Sequence, residues 1–413
     1  MSIQLRWRVS LANRTLLALL LGGVIGLLIG PSIAAIQIVG DVFLKLLQMA
    51  LVPLIFFSVI SAIANIGDIS RLSRIGGKAI VLFVLTSTSA AALGVVISRL
   101  IGPGAGLVLK DLPPVKALAD NPDVSKTVLA LIPGNIIQAL SEGNMIQIIV
   151  FAIFAGIAII LLPESEREKV TAIFNTLFQF IIKVLSLIIE LSPYGVFALT
   201  AVTAGKYGPQ VIGPLSRFIV TIYAGIFAQL LLVLFVLYFI FVRQNPVAFF
   251  KTISPIWITS LSTCSTRATM PVSIKTSEQE LGLPKELVGF TIPLGASANM
   301  NGNALWYSSV AVFVSQLVGI DLTFSQQVLV VALSVLMTIG SPGIPGGIIV
   351  LTAVFLKSLG LPIEVIGLLA GIFRILDMGL TTLNVLGSIF VTTILARFEP
   401  SAEKQLEPAT EEL

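Results

Sequence analysis

The sequence predicts an all-α integral membrane protein. Hydrophobic residues make up 56% of the 413-residue chain and charged residues 11%, and the mean hydropathy is +1.02. A chain with so little polar surface would not stay in solution. Several apolar stretches approach or exceed the roughly 20 residues that cross a hydrocarbon core, which is far longer than a barrel strand. The spans are therefore expected to be helices.

The ionisable residues exclude several classes of function. The net charge is only +4, and the basic residues are spread through loops, so a nucleic-acid partner is not expected. A single cysteine, Cys264, and the absence of histidine exclude an intrachain disulfide, a multi-cysteine metal site and a histidine proton relay. We expect Cys264 to be inert. No Cys–His pair or pair of facing aspartates suggests an enzyme.

Six spans are predicted before residue 245, near residues 15–30, 40–64, 79–102, 127–162, 168–202 and 213–242. The fourth and fifth are long enough to be broken or tilted. Arginines precede the first apolar run as in a signal peptide, but no small-residue cleavage site is evident, so this run is predicted to remain as the first span.

Loop charges predict the orientation, because Lys and Arg concentrate in short cytoplasmic loops. The N-terminus and the segments 65–78, 163–169 and 243–251 are basic and fall on one side. We therefore expect a multi-pass protein of the inner (plasma) membrane, in contact with lipid, with both termini cytoplasmic. The 103–126 loop would be extracellular, and the Glu-rich tail 398–413 is expected to be disordered.

Polar clusters interrupt three later apolar segments: SLSTCSTRATMP (260–271), GASANMNGNA (295–304) and TIGSPGIPGG (338–347). The orientation is consistent only if 247–278 and 324–358 enter the membrane and return as re-entrant hairpins, whose non-helical tips protein or a water-filled cavity must satisfy. Each hairpin precedes a helix, at 285–318 and 361–397. The sequence thus predicts eight transmembrane helices and two hairpins in inverted repeats, with a site at the membrane midplane.

The last helix has one polar face. Arg374, Asp377, Thr381, Asn384 and Ser388 follow at spacings of 3, 4, 3 and 4, which places them on one side. A charged side chain at a helix centre costs roughly 2.5–3.5 kcal/mol on insertion scales. The face therefore predicts a zwitterion site, with a carboxylate for an ammonium group. The alternative is a packing seam in which the arginine and the aspartate neutralise each other.

Asn299, Asn301 and Asn303, with Gly302 among them, favour local unwinding of helix 285–318. Unwinding exposes hard oxygen donors that suit a small cation. The alternative is a kink whose asparagines bond to neighbouring helices.

The hairpin tips supply half-helix ends that can hold a carboxylate. At the second tip, prolines and glycines prevent a continuous helix: Pro342, Gly343, Pro345, Gly346 and Gly347. Arg267 adds a cation at the first tip, unless it extends to the cytoplasmic interface.

The three polar clusters and the polar face of the last helix together resemble the motifs of the dicarboxylate/amino acid:cation symporter family. This family includes the prokaryotic and animal glutamate transporters. The family's Thr-Leu-Pro hairpin end appears in STRATMP (265–271), its Asn-Met-Asp-Gly-Thr as NMNGN (299–303), and its Gly-Val-Pro-Gly as GIPG (343–346). The last helix matches through Asp377-Met378-Gly379, Thr381 and Asn384. The resemblance extends from the first span to about Arg397.

The resemblance implies a homotrimer that moves an amino acid or dicarboxylate by an elevator mechanism. The scaffold would comprise 1–78 and 127–205. The transport domain would comprise 79–102, 206–246, both hairpins and the helices 285–318 and 361–397.

The resemblance implies that Asp377 holds the ammonium group of the substrate. The carboxylate of the substrate would bind to Asn384 and to the backbone at Thr266 and Gly343. Thr381 would contact the side-chain end of the substrate. The predicted substrate set is Ser265, Thr266, Arg267, Met300, Asn303, Gly343, Ile344, Pro345, Gly346, Arg374, Asp377, Thr381 and Asn384. The predicted cation set is Thr86, Ser87, Gly295, Ser297, Asn299, Met300, Asn301, Ser341, Asn384 and Ser388. Na⁺ is the candidate coupling ion, and no other cofactor is expected.

Departures from the family pattern concern charge. At two positions where the family has carboxylates, this chain has Asn301 and Ser388. Where the family has a tyrosine, it has Phe83. A third sodium site, built largely from backbone around Met300, Gly340 and Ser341, can persist. Leu380 stands where family members that bind acidic side chains have an arginine. We hypothesise that Arg267 or Arg374 takes the electrostatic role of a lost sodium ion.

The leading prediction is a symporter for a small amino acid or dicarboxylate with sodium coupling reduced or replaced. A proton-coupled or exchange-only transporter of acidic substrates is the alternative, with Asp377 and Glu190 as proton carriers. An anion channel is the alternative from another class. The sequence leaves the solute, the driving ion and the stoichiometry open.

Overall fold

The computed structural model describes residues 11–65, 69–106, 132–339, 341, 343 and 347–398, and these residues form helices and no strand. The first ten α-helices are α1 Leu11–Ile29, α2 Gln37–Ala64, α3 Ile69–Ile101, α4 Ile136–Glu142, α5 Met145–Ile160, α6 Glu164–Ile189, α7 Ser192–Tyr207, α8 Ile212–Ala228, α9 Phe235–Val242 and α10 Pro246–Thr252. They are followed by α11 Ser254–Thr263, α12 Thr266–Gln279, α13 Lys285–Ala298, α14 Asn301–Leu317, α15 Phe324–Thr338, α16 Gly347–Ser358 and α17 Ile366–Ala396. The all-helical prediction is confirmed for this part of the chain.

The long predicted spans are broken, as their length suggested. The fourth divides into α4 and α5 at Gly143, whose φ of +67° ends α4 in the left-handed region. The fifth divides into α6 and α7 at Glu190 and Leu191, ahead of a proline in the first turn of α7. The third begins at Ile69 rather than near residue 79. The sixth runs from α8 into α9 through a π-helical turn, Gln229–Leu234.

Both predicted hairpin segments consist of short helical halves. In the first, α11 and α12 meet at Cys264 and Ser265, where Cys264 has a φ of +50°. In the second, α15 and α16 flank a tip of which only residues 341 and 343 are described after residue 339. Helix 285–318 is unwound at Asn299 and Met300, which separate α13 from α14.

The helices pack in two groups. α1 packs on α7, and α2 packs on α5, α6 and α7. α17 packs against α3, α8, α11, α13 and α14, and also against α7 of the first group. Every residue of α14 except Gln316 is buried. The broken helix and the polar face of α17 therefore meet in the interior of the second group.

Four helical segments in the described residues are long and apolar enough to cross a membrane: 17–43, 76–101, 164–189 and 208–242. Several shorter apolar helices accompany them. A multi-pass membrane protein is therefore supported, while the count of eight spans and the domain boundaries stay predictions. The tail 399–413 and most of the 103–126 loop lie outside the described residues.

Candidate functional site

Asn384, on α17, fixes the start of α14. Its Oδ1 accepts hydrogen bonds from the backbone N–H of Gly302 (2.7 Å) and of Asn303 (3.3 Å), and its Nδ2 donates to Asn303 Oδ1 (2.9 Å). Met300, which precedes α14, provides no side-chain cap. A side chain from a distant helix thus satisfies the N–H groups that the break exposes.

The close contact between α14 and α17 requires a glycine. A Cβ at Gly302 would overlap the backbone carbonyl of Leu380. One residue further along, Asn303 Nδ2 donates to Ser341 Oγ (2.9 Å) and so links the break to the tip of the second hairpin. Asn303, Asn384 and Ser341 are all buried. The structure therefore brings together three predicted site residues from three segments.

The two hairpin tips contact each other at Gly343. Ser265 Oγ and Thr266 Oγ1 donate to the Gly343 carbonyl oxygen, at 3.1 and 3.3 Å. Gly343 has a φ of +59°, and a Cβ there would overlap Thr266 Oγ1. The predicted site residues Ile344, Pro345 and Gly346 lie outside the described residues, as do Gly340 and Pro342.

One end of the polar face of α17 is charged. Asp377 is buried and accepts a hydrogen bond from Thr381 Oγ1 (3.0 Å) one turn later. Arg374 is half-buried one turn before Asp377. Ser260 Oγ, on α11 of the first hairpin, donates to Thr382 Oγ1 of α17 at 3.0 Å. The first hairpin therefore packs against α17 close to its charged residues.

The other end of the face is neutral. Asn301 Oδ1 accepts from Ser87 Oγ (3.0 Å), and Asn299 Oδ1 accepts from Thr86 Oγ1 (3.3 Å). Asn299 Nδ2 donates to Ser388 Oγ at 3.5 Å. A hydroxyl group therefore lies against the oxygen of each amide. We name the five residues Thr86, Ser87, Asn299, Asn301 and Ser388 the amide cluster.

The packing around the amide cluster leaves little room. A Cβ at Gly295 would lie 2.5 Å from Ser388 Oγ and 3.3 Å from the Phe83 ring. A Cβ at Gly387 would lie 3.0 Å from Asn299 Nδ2 and would overlap Asn301 Nδ2. The latter nitrogen is buried without a hydrogen-bond partner. The amide nitrogens of Asn299 and Asn301 thus both face Gly387.

A residue that the sequence analysis missed supports this end. Gln229, fully buried in the π-helical turn, donates through Nε2 to the Thr86 carbonyl oxygen (2.9 Å) and contacts Ser89 Oγ (3.1 Å). π-helical turns are frequent at functional sites. The signal in the sequence was a lone glutamine inside the apolar run IFAQLLLVL.

The remaining predicted site residues lie in different places. Met300 is buried, and its Cε lies 3.5 Å from where a Gly343 Cβ would be. Ser297 lines a cavity on the other side of the first hairpin, together with Arg267. Glu190 is exposed at the break between α6 and α7. Among the described residues, no group of three or more His, Cys, Asp or Glu could hold a metal ion.

Comparison with known proteins finds relatives that are named as symporters or transport proteins. The profile described as "Sodium:dicarboxylate symporter family" matches residues 11–398. A proton/sodium-glutamate symport protein of Bacillus caldotenax is 31% identical, over 95% of this chain and 95% of the relative. A proton/glutamate-aspartate symporter of Escherichia coli K12 is 31% identical, over 89% and 86%. A C4-dicarboxylate transport protein of a Bradyrhizobium species is 34% identical, over 84% and 79%.

Proposed function

Because the chain belongs to the sodium:dicarboxylate symporter family, whose members are transporters and not enzymes, we propose that it imports a small amino acid with little or no sodium coupling. The observation that supports the solute is the buried Asp377, bonded to Thr381 near the joined hairpin tips. A dicarboxylate would bring two negative charges toward this carboxylate, whereas an amino acid brings an ammonium group.

In this proposal each end of the substrate has its own partners. Asp377 pairs with the ammonium group, and Thr381, which already donates to Asp377, holds the carboxylate of Asp377 in position. The substrate carboxylate binds at Asn384 and at backbone N–H groups of the hairpin tips around Thr266 and Gly343. Charge-assisted hydrogen bonds of this kind are stronger than neutral ones.

We extend the proposal to an elevator mechanism in a homotrimer. The group formed by α1, α2, α5, α6 and α7 would be the static scaffold, and the group around α17 would move with the solute. The support is that these helices pack mainly within their own groups, and that Ser265 and Thr266 close on Gly343 through two hydrogen bonds that can open.

The amide cluster is the reason for proposing reduced sodium coupling. Two positions where the family has carboxylates carry neutral side chains, and Oδ1 of both Asn299 and Asn301 accepts a hydrogen bond from a hydroxyl. Na⁺ would gain no negatively charged ligand at these positions. Arg374, one turn from Asp377, is the cation that takes the electrostatic role of the missing ion.

Proton coupling is the second candidate. Asp377 is the buried carboxylate of the polar face and would be the proton carrier. The relative from Escherichia coli is named a proton/glutamate-aspartate symporter, which favours this candidate. Under it, Asp377 would be protonated in one step of the cycle.

The test is uptake by purified protein in liposomes. Labelled alanine, serine, aspartate, glutamate and succinate would be compared under an inward sodium gradient, an inward proton gradient and preloaded exchange. The proposal expects amino-acid uptake that persists when choline replaces sodium and is lost in Asp377→Asn. Succinate uptake that survives in Asp377→Asn would instead favour a dicarboxylate transporter, and chloride flux without solute uptake would favour a channel.

A further inference from the structure

A cavity lies beside the candidate substrate site, on the side of the first hairpin that carries Arg267. It has a volume of about 380 Å³ and is bounded by α2, α6, α12 and α13. That volume is within the range of small-molecule pockets, roughly 300–1,000 Å³. Among the described residues that line it, Arg267 is the one charged residue. The cavity therefore has a positive potential.

Arg267 is held by an aromatic ring and not by an acid. Its guanidinium carbon lies 4.7 Å from the centroid of the Phe178 ring, on α6. The side chain is half-buried, and among the described residues none accepts a hydrogen bond from the guanidinium or forms an ion pair with it. A stacked guanidinium keeps the N–H groups along its edge available. Arg267 therefore presents unused donors to the cavity.

Other polar groups in the lining differ in how they are satisfied. Asn65 and Asn175 bond to each other through both amides, at 2.7 and 3.1 Å. In contrast, the Gln179 amide and the Ser297 hydroxyl form no hydrogen bond with another described residue, although both line the cavity. An unused guanidinium, amide and hydroxyl without a carboxylate are the groups that bind a carboxylate, with the guanidinium providing two parallel bonds.

We propose that this cavity is a second, separate binding site for the carboxylate group of the transported solute, which would meet it before or after the central site. The identity of the ligand rests on the proposed function, whereas the site rests on Arg267 and its surroundings. Ser265 and Thr266 bond to Gly343, but Arg267 stacks on Phe178. The hairpin tip thus separates two carboxylate sites.

The charge of the cavity can be measured with a thiol. Gln179→Cys places a thiol in the lining, and the parent chain, whose own Cys264 is buried, gives the background rate. For each variant, the measured quantity is the rate of modification by an anionic methanethiosulfonate reagent divided by the rate with a cationic one. We expect this ratio to fall about tenfold when Arg267→Gln is added to Gln179→Cys. Arg267→Lys should retain most of the preference. An unchanged ratio in Arg267→Gln would overturn the proposal.

Ligand binding is measured on the same thiol. Succinate and L-aspartate should slow its modification at least threefold at concentrations where sodium chloride of equal ionic strength does not, and Arg267→Gln should abolish this protection. Protection should persist in Asp377→Asn, which lacks central amino-acid binding. Equal protection by chloride, protection that survives Arg267→Gln, or protection that vanishes in Asp377→Asn would each contradict a separate carboxylate site. Absent uptake with intact protection would contradict only the proposed function.

Phe178→Leu separates the effect of the Arg267 charge from the effect of its stacking on the ring. It leaves the charge in the cavity but removes the stacking that holds the guanidinium. The preference for the anionic reagent should remain, and protection by succinate should weaken. Loss of the reagent preference in this variant would mean that packing at Phe178, rather than the charge of Arg267, controls access to the thiol.

Discussion

The two ends of the polar face of α17 have different chemistry. At one end, Asp377 and Arg374 bring charge into the interior, and Asp377 is supported by Thr381. At the other end, Ser388 belongs to the amide cluster, whose side chains are neutral and bond to one another. Carboxylate oxygens are common ligands of hard cations, and the neutral end has none. The difference separates the residues proposed to bind the substrate from those proposed to have lost a coupling ion.

The largest effect is expected at the charged end. Asp377→Asn removes the charge that pairs with the substrate ammonium, at a cost of roughly 3 kcal/mol or more, which is about 100-fold or more in affinity. Isothermal titration with the best amino-acid substrate measures it. Ser388→Ala, at the neutral end of the same face, is the matched control and should change affinity by less than about threefold.

The centre of the face should affect stability. Asn384→Ala leaves the N–H groups of Gly302 and Asn303 without their acceptor, and each buried unsatisfied group costs about 1–3 kcal/mol. The melting temperature of the purified protein should fall. Asn384→Asp keeps the acceptor at the N-terminus of α14 but loses the donor to Asn303 Oδ1, so it should recover part of the stability and no affinity for a carboxylate. Equal melting of both variants would contradict the capping role.

The hairpin contact gives the next effect. Gly343→Ala places a Cβ against Thr266 Oγ1 and strains a backbone with a φ of +59°, which together cost about 2 kcal/mol. Uptake should fall roughly 30-fold. Gly282→Ala is the control, because its φ is +63° and no atom lies within 4 Å of the added Cβ. Similar losses in both would show that backbone strain alone is responsible.

Thr381→Val should have the smallest effect. It removes one hydrogen bond to a carboxylate, about 1.5 kcal/mol, or about tenfold in the Michaelis constant for uptake. Thr381→Ser retains the hydroxyl and should behave like the parent protein. If the valine variant matched the parent, Thr381 would be a packing residue.

The unwinding of helix 285–318 and the hairpin halves could be predicted from the sequence, because Asn, Gly and Pro act locally on the backbone. The role of Gln229 could not, because its acceptor, the Thr86 carbonyl, lies 143 residues away in the chain. The direction of Arg267 toward Phe178 likewise depends on how α6 packs against the first hairpin. The sequence placed Arg267 in the predicted substrate set as an added cation of the first hairpin tip, and only the tertiary structure shows which cavity it lines.

Replacement of a sodium site by the neutral amide cluster can be measured as the initial uptake rate against sodium concentration. The parent protein is compared with the double variant Asn301→Asp/Ser388→Asp, which restores both family carboxylates. We expect a flat response in the parent, with choline as the substitute cation, and a sodium-dependent rate in the double variant. A steep sodium dependence in the parent protein would contradict the replacement.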